Sequence, residues 1–481
     1  MASPIPLVLG IDLGTSAVKV AAIDTAGEVA ASACRNFATM SQTSGAAEQE
    51  PADWITAVCN SCGDLRVALG ASEADWRAAI VAIGLAGQLP TLVCGVGDEP
   101  LGRAITWQDS RADAWAAEVL TREVRRQLYE RTGMPLDGRY LGPMFAFHWS
   151  ARAAEVEWVL SAKDYLCFAL TGVRITDPST AAGYGLFDSS TGTFAADLCR
   201  RWQLPTAALP QVRPSQAAAG PLTANAARIL ELRPGIPVAV GSADSVAAAY
   251  ALAGLNEHTV CVTMGSSTTI LDTVRERRLD PSARYLLTPH IAPGWYGREM
   301  DLLATGTGYR WLSDLLGLSD GALDECAARS PPGARGLTFT PYLGGGEQGA
   351  LWNPSLRGSL HGLTLEHTRD DIARAFLEGV AFEIRRCIEV LAETAPTESV
   401  VVSGSLVTRP ASLQLLVDIL DRPVRACELT SAAAIGAAHC AAALADGSQF
   451  PARSSGAYDV MPGSVSAYYR ESYARYRAAT G

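Results

Sequence analysis

Lysine is almost missing from this chain: Lys19 and Lys163 are the only two in 481 residues, against 39 basic residues in all. Neither follows a glycine, so the phosphate-binding lysine of a P-loop has no candidate. A dense basic stretch is also lacking. Arginines are scattered and the net charge is −11, which argues against a nucleic-acid backbone or an anionic membrane as partner. Long apolar runs are absent too. The most membrane-like stretch, AAAIGAAHCAAALA at 432–445, is short, interrupted by His439 and built of alanine, and reads as a tightly packed soluble helix. The opening MASPIPLVLGI has no basic leader and meets Asp12 too early for a secretory segment, so no signal peptide and a cytoplasmic location are expected. Eleven cysteines, an odd number widely spread, read as reduced buried thiols. CNSC at 59–62 has redox-motif spacing but no second cysteine pair, which argues against zinc. His148, His290 and His361 have no paired nucleophile or metal spacing, so packing or surface roles are expected of them.

What is present is an α/β pattern too long for one core, which favours two or three domains. The opening reads as strand, turn, strand: LVLGI, DLGTS, AVKVAAID. Half a chain later TVCVTMGSSTTILDTV at 259–274 repeats that grammar, with Gly265, Ser266 and Ser267 at its turn. The echo suggests duplicated domains, each giving a glycine-hydroxyl hairpin to a shared cleft, with a seam near residue 242 that divides 1–242 from 243–481. Between the hairpins, 111–133 and 154–172 read as amphipathic helices, the second stopped by Gly172. The segments 281–300 and 336–358 read as irregular, ligand-facing loops rich in Gly and Pro.

Glycine at a hairpin tip lets main-chain amides meet anionic oxygens, and Thr15 and Ser16 add hydroxyl donors. Asp12 would repel a phosphate unless a divalent cation lay between them. Magnesium, which takes carboxylate, water and phosphate oxygens, resolves that conflict. An ordinary polar hairpin tip accounts for the same residues. A dinucleotide site needs three glycines between strand and helix, whereas the residues after GTS are strand-like. Asp244, in GSADS before an apolar helix, reads as a helix cap in the absence of other context.

The stretch GIDLGTSAVKVAAIDTAGEV resembles the first phosphate motif of the FGGY carbohydrate kinases, a branch of the actin, heat-shock ATPase and hexokinase superfamily. The resemblance runs along nearly the whole chain, through EQEPADWITAV, IGLAGQLPTLV, AITWQDSRA, SAKDYLCFALTG, VGSADSVAAAYALAGL, VTMGSSTTI and the long stretch from Gly336 to Phe382. It implies two ribonuclease H-like domains flanking a cleft, the first binding sugar and the second ATP, with ATP-dependent phosphorylation of a sugar hydroxyl. By position Asp244 would be the general base, and Asp12 would hold Mg2+ and the phosphates beside Gly14, Thr15 and Ser16. Gly265 and Ser266 would face the transferred phosphate from the other side. Gly306, Gly308, Gly404, Ser405 and Arg409 would lie at the nucleotide; helix capping accounts equally for Gly306 and Gly308. Gln88, Trp107, Asp109 and Arg111 supply the mixture of polar groups and stacking surface that a sugar pocket needs.

Departures from the family pattern bear on the substrate. Leu89 and Pro90 stand where many xylulose kinases carry methionine and histidine, and Ser405 and Arg409 are unusual at the adenine end. A ketopentose such as xylulose or ribulose is the expected acceptor. A polyol, a sugar acid, or a non-catalytic sugar-binding regulator of the same fold are the alternatives. The expected partners are a sugar and ATP, with neither nucleic acid nor membrane; a homodimer is allowed.

Overall fold

The structure, a computed structural model, describes residues 5–319, 321–344, 348–353, 355–446 and 456–480. Residues 345–347 and 354 of the long signature therefore lie outside the described residues. Two seven-stranded sheets dominate. The first begins with an antiparallel meander of β1 (Leu7–Leu13), β2 (Ala17–Asp24) and β3 (Val29–Asn36). Helix α1 (Pro51–Ala68) precedes β4 (Ile80–Gly87), which pairs with β1 in parallel. The sheet is completed by β5 (Ala218–Pro221), β6 (Pro237–Ala239) and β7 (Ser242–Ala243), in the order β5-β6-β4-β1-β2-β3 with β7 also on β4. Every residue of β1 and nearly all of β4 is buried, as continuous apolar runs demand of strands covered on both faces.

The second sheet repeats the plan. Strands β8 (Thr259–Met264), β9 (Thr268–Val274), β10 (Leu286–Pro289) and β11 (Tyr296–Leu302) form its antiparallel part. Strands β12 (Ser399–Gly404) and β13 (Val424–Cys427) add in parallel and β14 (Ala457–Val460) closes the edge. The sequence echo between the two hairpins is thus an echo of whole sheets. The expected seam falls inside β7, whose two residues pair with β4 of the first sheet.

Three local readings need correction. The helix expected over 111–133 is two helices, Asp113–Val119 and Arg122–Thr132, because the Thr121 side chain caps the second by accepting from the Val124 amide. The helix expected over 154–172 is interrupted: its first two residues end a 3-10 helix, Trp158–Leu160 is a strand, and only α2 (Ala162–Thr171) is α-helix, ending at Gly172 as expected. The stretch 281–300 is loop only in part, since β10 and most of β11 fall within it.

Further helices that matter for the site are α3 (Pro178–Ala182), α4 (Asp244–Ala253), α5 (Thr305–Leu315), α6 (Arg369–Ala392) and α7 (Ala432–Asp446). Although α7 follows a strand of the second sheet, it lies across β1 and β4 of the first and against α4. A Cβ on Gly10 or Gly84 would sit 1.8 Å from a carbonyl oxygen of α7, of Ala434 and Ala437 respectively. The bare strand backbone lets helix and sheet touch, which explains why α7 is built of alanine. The two halves therefore share a core, with Val8, Ala82 and Ala438 in the same apolar cluster as Cys261 and Val401. No helix among the described residues is long and apolar enough to cross a membrane.

Candidate functional site

Two cavities open between the sheets. The larger, about 590 Å3, is lined by Asp12, Lys19 and Gly14–Ser16 of the first hairpin, Gly265–Ser267 of the second, and Gly404, Ser405 and Arg310. The smaller, about 140 Å3, is lined by Gln88, Leu89, Pro90, Trp107, Arg139, Glu299 and Asp301, among others. They meet at Thr15, Trp107, Asp244, Ser245 and Ser267, which line both. Asp244 is therefore at the junction.

Asp12 is the last residue but one of β1 and stands opposite Lys19 on β2. It is 3% exposed, and its Oδ1 has no hydrogen-bond partner. Burial raises its pKa and the Lys19 ammonium opposes that rise. An orphaned buried carboxylate oxygen on a cavity wall is costly unless something positive meets it. The fit to magnesium is good on this ground. No group of three or more His, Cys, Asp or Glu side chains among the described residues would hold a metal alone, as suits an ion that takes one or two carboxylates and fills its shell with water and phosphate.

Asp244 is the first residue of α4 rather than its cap. Ala243 occupies the cap position with no side-chain hydrogen bond, and the Asp244 carboxylate accepts only the neighbouring Ser245 amide at 2.9 Å. The capping reading thus fails. Burial, and then the charge of Asp12, push the Asp244 carboxyl up to about 7. Behind it, the Ala243 amide donates to Ser179 Oγ at 2.9 Å, and Ser179 donates to Asp177. Asp177 lies 3.1 Å from the buried Lys163 ammonium, which also pairs with Asp164 at 2.8 Å and donates to the Val240 carbonyl. Burial alone would lower the Lys163 pKa; the two carboxylates raise it. The second lysine of the chain is a buried strut under the residue before Asp244.

At the smaller cavity Trp107 donates from Nε1 to Thr15 Oγ1 at 3.1 Å, tying the wall to the first hairpin. Gln88 donates its amide to Gln49 Oε1 at 2.9 Å. Gln49 in turn donates to the Thr15 carbonyl at 2.7 Å and accepts from Trp54 Nε1 at 3.1 Å. Asp109 and Arg111 are not on the wall of either cavity. Asp109 is 1% exposed and accepts from the Ala47 amide and from Arg111, which also pairs with Glu48 at 2.7 Å. Their place is behind Trp107, bracing its turn.

The nucleotide-end residues also divide. Gly404 has φ 83° and its missing Cβ would lie 2.2 Å from the Met264 carbonyl oxygen, so it seats β12 against the second hairpin. Ser405 lines the larger cavity, but Arg409 does not. The Arg409 guanidinium folds back onto Ser405 Oγ at 3.0 Å and over the Tyr309 ring at 4.3 Å. Gly306 and Gly308 line neither cavity. A Cβ on Gly306 would come 2.1 Å from the Gly265 carbonyl oxygen, and one on Gly308 would press on Leu343 and Phe376. They bring α5 onto the hairpin, where the Thr307 amide donates to the Ser266 carbonyl at 3.0 Å. Lys19, Thr39, Arg310, Glu299 and Asp301 were not anticipated. Of these only Lys19 had a signal, its position opposite Asp12 across the hairpin.

A chain with two ribonuclease H-like sheets, each offering a glycine-hydroxyl hairpin to one cleft, has the build of a sugar kinase. Residues 7–251 match the N-terminal domain of the FGGY family of carbohydrate kinases and residues 260–445 its C-terminal domain. The chain belongs to that family and is a phosphotransferase acting on a sugar hydroxyl. It is 27% identical over 425 residues to the xylulose kinase of Lactococcus lactis, covering 86% of this chain and 83% of that one. It is 24% identical over 449 residues to the gluconokinase of Bacillus licheniformis, with 89% and 86% covered. Its fold matches the crystal structure of xylulose kinase from Rhodospirillum rubrum with a TM-score of 0.86 at 28% identity, covering 98% of both chains.

Proposed function

We propose that this protein transfers the terminal phosphate of ATP to a hydroxyl of a small sugar, a ketopentose such as xylulose or ribulose, with Asp244 as general base. The observation that carries the reading is the junction: Asp244 lines both the cavity of the two phosphate hairpins and the cavity of Gln88 and Trp107. An acceptor in the smaller cavity would present its hydroxyl to Asp244 while the terminal phosphate lay between the Thr15–Ser16 and Gly265–Ser266 tips. Phosphoryl transfer runs through a loose transition state, so alignment and charge neutralisation account for most of the catalysis. Main-chain amides and hydroxyls of the two tips would bind the phosphate oxygens, Lys19 and Arg310 would add positive charge, and Trp107 would exclude water. Asp244 would take the hydroxyl proton onto its free carboxylate oxygen as the new bond forms. Asp12 would hold Mg2+, which supplies neutralisation of the phosphate charge when bound. A panel of ketoses, polyols and sugar acids, assayed for ADP release with Mg2+, tests the reading. Asp244→Ala is expected to lose nearly all kcat while still binding sugar; wild-type turnover in that variant would refute it.

A further inference from the structure

Among the polar side chains on the wall of the smaller cavity are three carboxyl groups, against one cation. Glu299 and Asp301, two residues apart on β11, line it together, and Asp244 faces it from α4. Ser245 Oγ donates to Glu299 Oε2 at 3.0 Å and Thr269 Oγ1 to Asp301 Oδ1 at 3.1 Å. Gln88 adds a fourth acceptor, and its orientation is fixed by its neighbours. Because Trp54 donates to Gln49 Oε1, that oxygen must receive rather than give, so Gln88 turns its NH2 toward Gln49. Gln88, a lining residue 1% exposed, is thus left with its buried Oε1 unpartnered. Arg139 is the single cation among the described lining residues, and its Nε lies 3.1 Å from Asp137 Oδ2 with the guanidinium paired to that carboxylate.

We infer that Glu299 and Asp301 are specificity-determining residues which, with Gln88, select a neutral, hydroxyl-rich acceptor and reject sugar acids. The inference rests on the kinase reading of this site and narrows it. Hydroxyl groups supply the donors that four buried acceptors require, and an unpaired buried acceptor is costly. A carboxylate on the acceptor supplies none, meets three acidic side chains, and finds its only cation already engaged. Sites built around hydrogen bonds to hydroxyls discriminate by large factors against molecules that leave those groups unpaired. Burial, and then the charge of Asp301, raise the Glu299 carboxyl well above its ordinary value, and burial raises that of Asp301 to about 6 against the opposing effects of Thr269 and Arg139, so this wall already resists negative charge.

The test compares D-xylulose, D-ribulose and glycerol with D-gluconate as acceptors for the wild type, Glu299→Gln and Asp301→Asn. In the wild type, kcat/KM for the best neutral acceptor should exceed that for gluconate by about 100-fold or more. Each amide variant should shrink that ratio by about tenfold, since the amide removes charge and adds a donor in nearly the same shape. The ratio is taken on one preparation, so a reduced active fraction cancels. Calorimetric titration of the same compounds without nucleotide separates the two readings. If neutral acceptors bind and gluconate does not, yet nothing is phosphorylated, the kinase reading fails and the specificity inference stands. A wild type that favours gluconate, a ratio unchanged in both variants, or failure of every neutral compound to bind overturns the inference.

Discussion

Asp244→Asn should both abolish turnover and stabilise the ligand-free protein, because the group needed for chemistry is buried at a cost to folding. Its carboxyl is pushed up to about 7, first by burial and then by Asp12, from an ordinary aspartate value near 3.9. The folded chain therefore binds this proton more tightly than the unfolded chain. The contribution to stability is complete below about pH 4 and is lost as the pH rises through about 7. At about 1.4 kcal/mol per tenfold difference in proton affinity, the loss at pH 8 is at most about 4 kcal/mol. Asparagine keeps the shape and never ionises. With about 2 °C per kcal/mol for a unit of this size, the melting temperature of the variant should exceed that of the wild type by up to about 8 °C at pH 8. The gap should narrow steadily toward pH 4. Thermal melts in EDTA, without nucleotide or sugar, at pH 4, 6 and 8 measure it directly. A variant no more stable than the wild type at pH 8 would refute the electrostatic account of this site. Retained turnover would refute the base.

Four further outcomes follow from named contacts. Lys163→Met strands Asp164 and Asp177 without their cation, so stability should fall by about 3–5 kcal/mol by urea titration. Gln49→Leu removes the partner that orients Gln88 and the donor to the Thr15 carbonyl; acceptor KM should rise about tenfold, read from initial rates. Gly84→Val drives a side chain into the Ala437 carbonyl and should leave little soluble protein, whereas Gly63→Ala, in the middle of α1 with open space around its Cβ, should add about 0.5–1 kcal/mol. The acid limb of kcat/KM for the free enzyme should lie near 7, set by Asp244; a limb near 4 would show that the carboxyl ionises as an ordinary aspartate.

The parts of the site that could be read from sequence are those whose function sits in consecutive residues. The hairpin GIDLGTS and its echo MGSS announce themselves because a strand-turn-strand pattern and its tip are local, and Asp12, Gln88 and Asp244 stand at such strand ends. Asp109 and Arg111 follow Trp107 by two and four positions, but the turn carries Trp107 to the cavity and sends the pair inward to Ala47 and Glu48. Nothing local reports that direction. Glu299 and Asp301 were hidden for a different reason. YGREMDL places charges at alternate positions of a strand, and a strand whose buried face carries carboxylates does not show the apolar alternation that identifies strands. Arg409 is placed at the nucleotide only by its position in the family resemblance; the Tyr309 ring that captures it is a hundred residues away in sequence.

The topology explains why these groups converge. Asp12 pairs with Ala86 from one side of β4 and Ser242 pairs with the same residue from the other, so β1, β4 and β7 run parallel and end together. Their carboxyl ends deliver Asp12, Gln88 and Asp244 within one narrow strip, where the main-chain N–H of Gln88 donates to the Leu13 carbonyl at 2.8 Å. In the second sheet β8 and β12 are parallel and end together at Met264 and Gly404, which presents Gly265, Ser266 and Ser405. Ligands in open α/β sheets gather beyond the carboxyl ends of parallel strands, and here two such edges face each other. Both acidic residues, the proposed base and the proposed metal ligand, therefore arise from the first sheet, while the second supplies the opposing hairpin and the carboxylate wall. Ser245, beside Asp244 at the start of α4, donates to Glu299 of the second sheet, so the wall of the acceptor pocket is drawn from both edges.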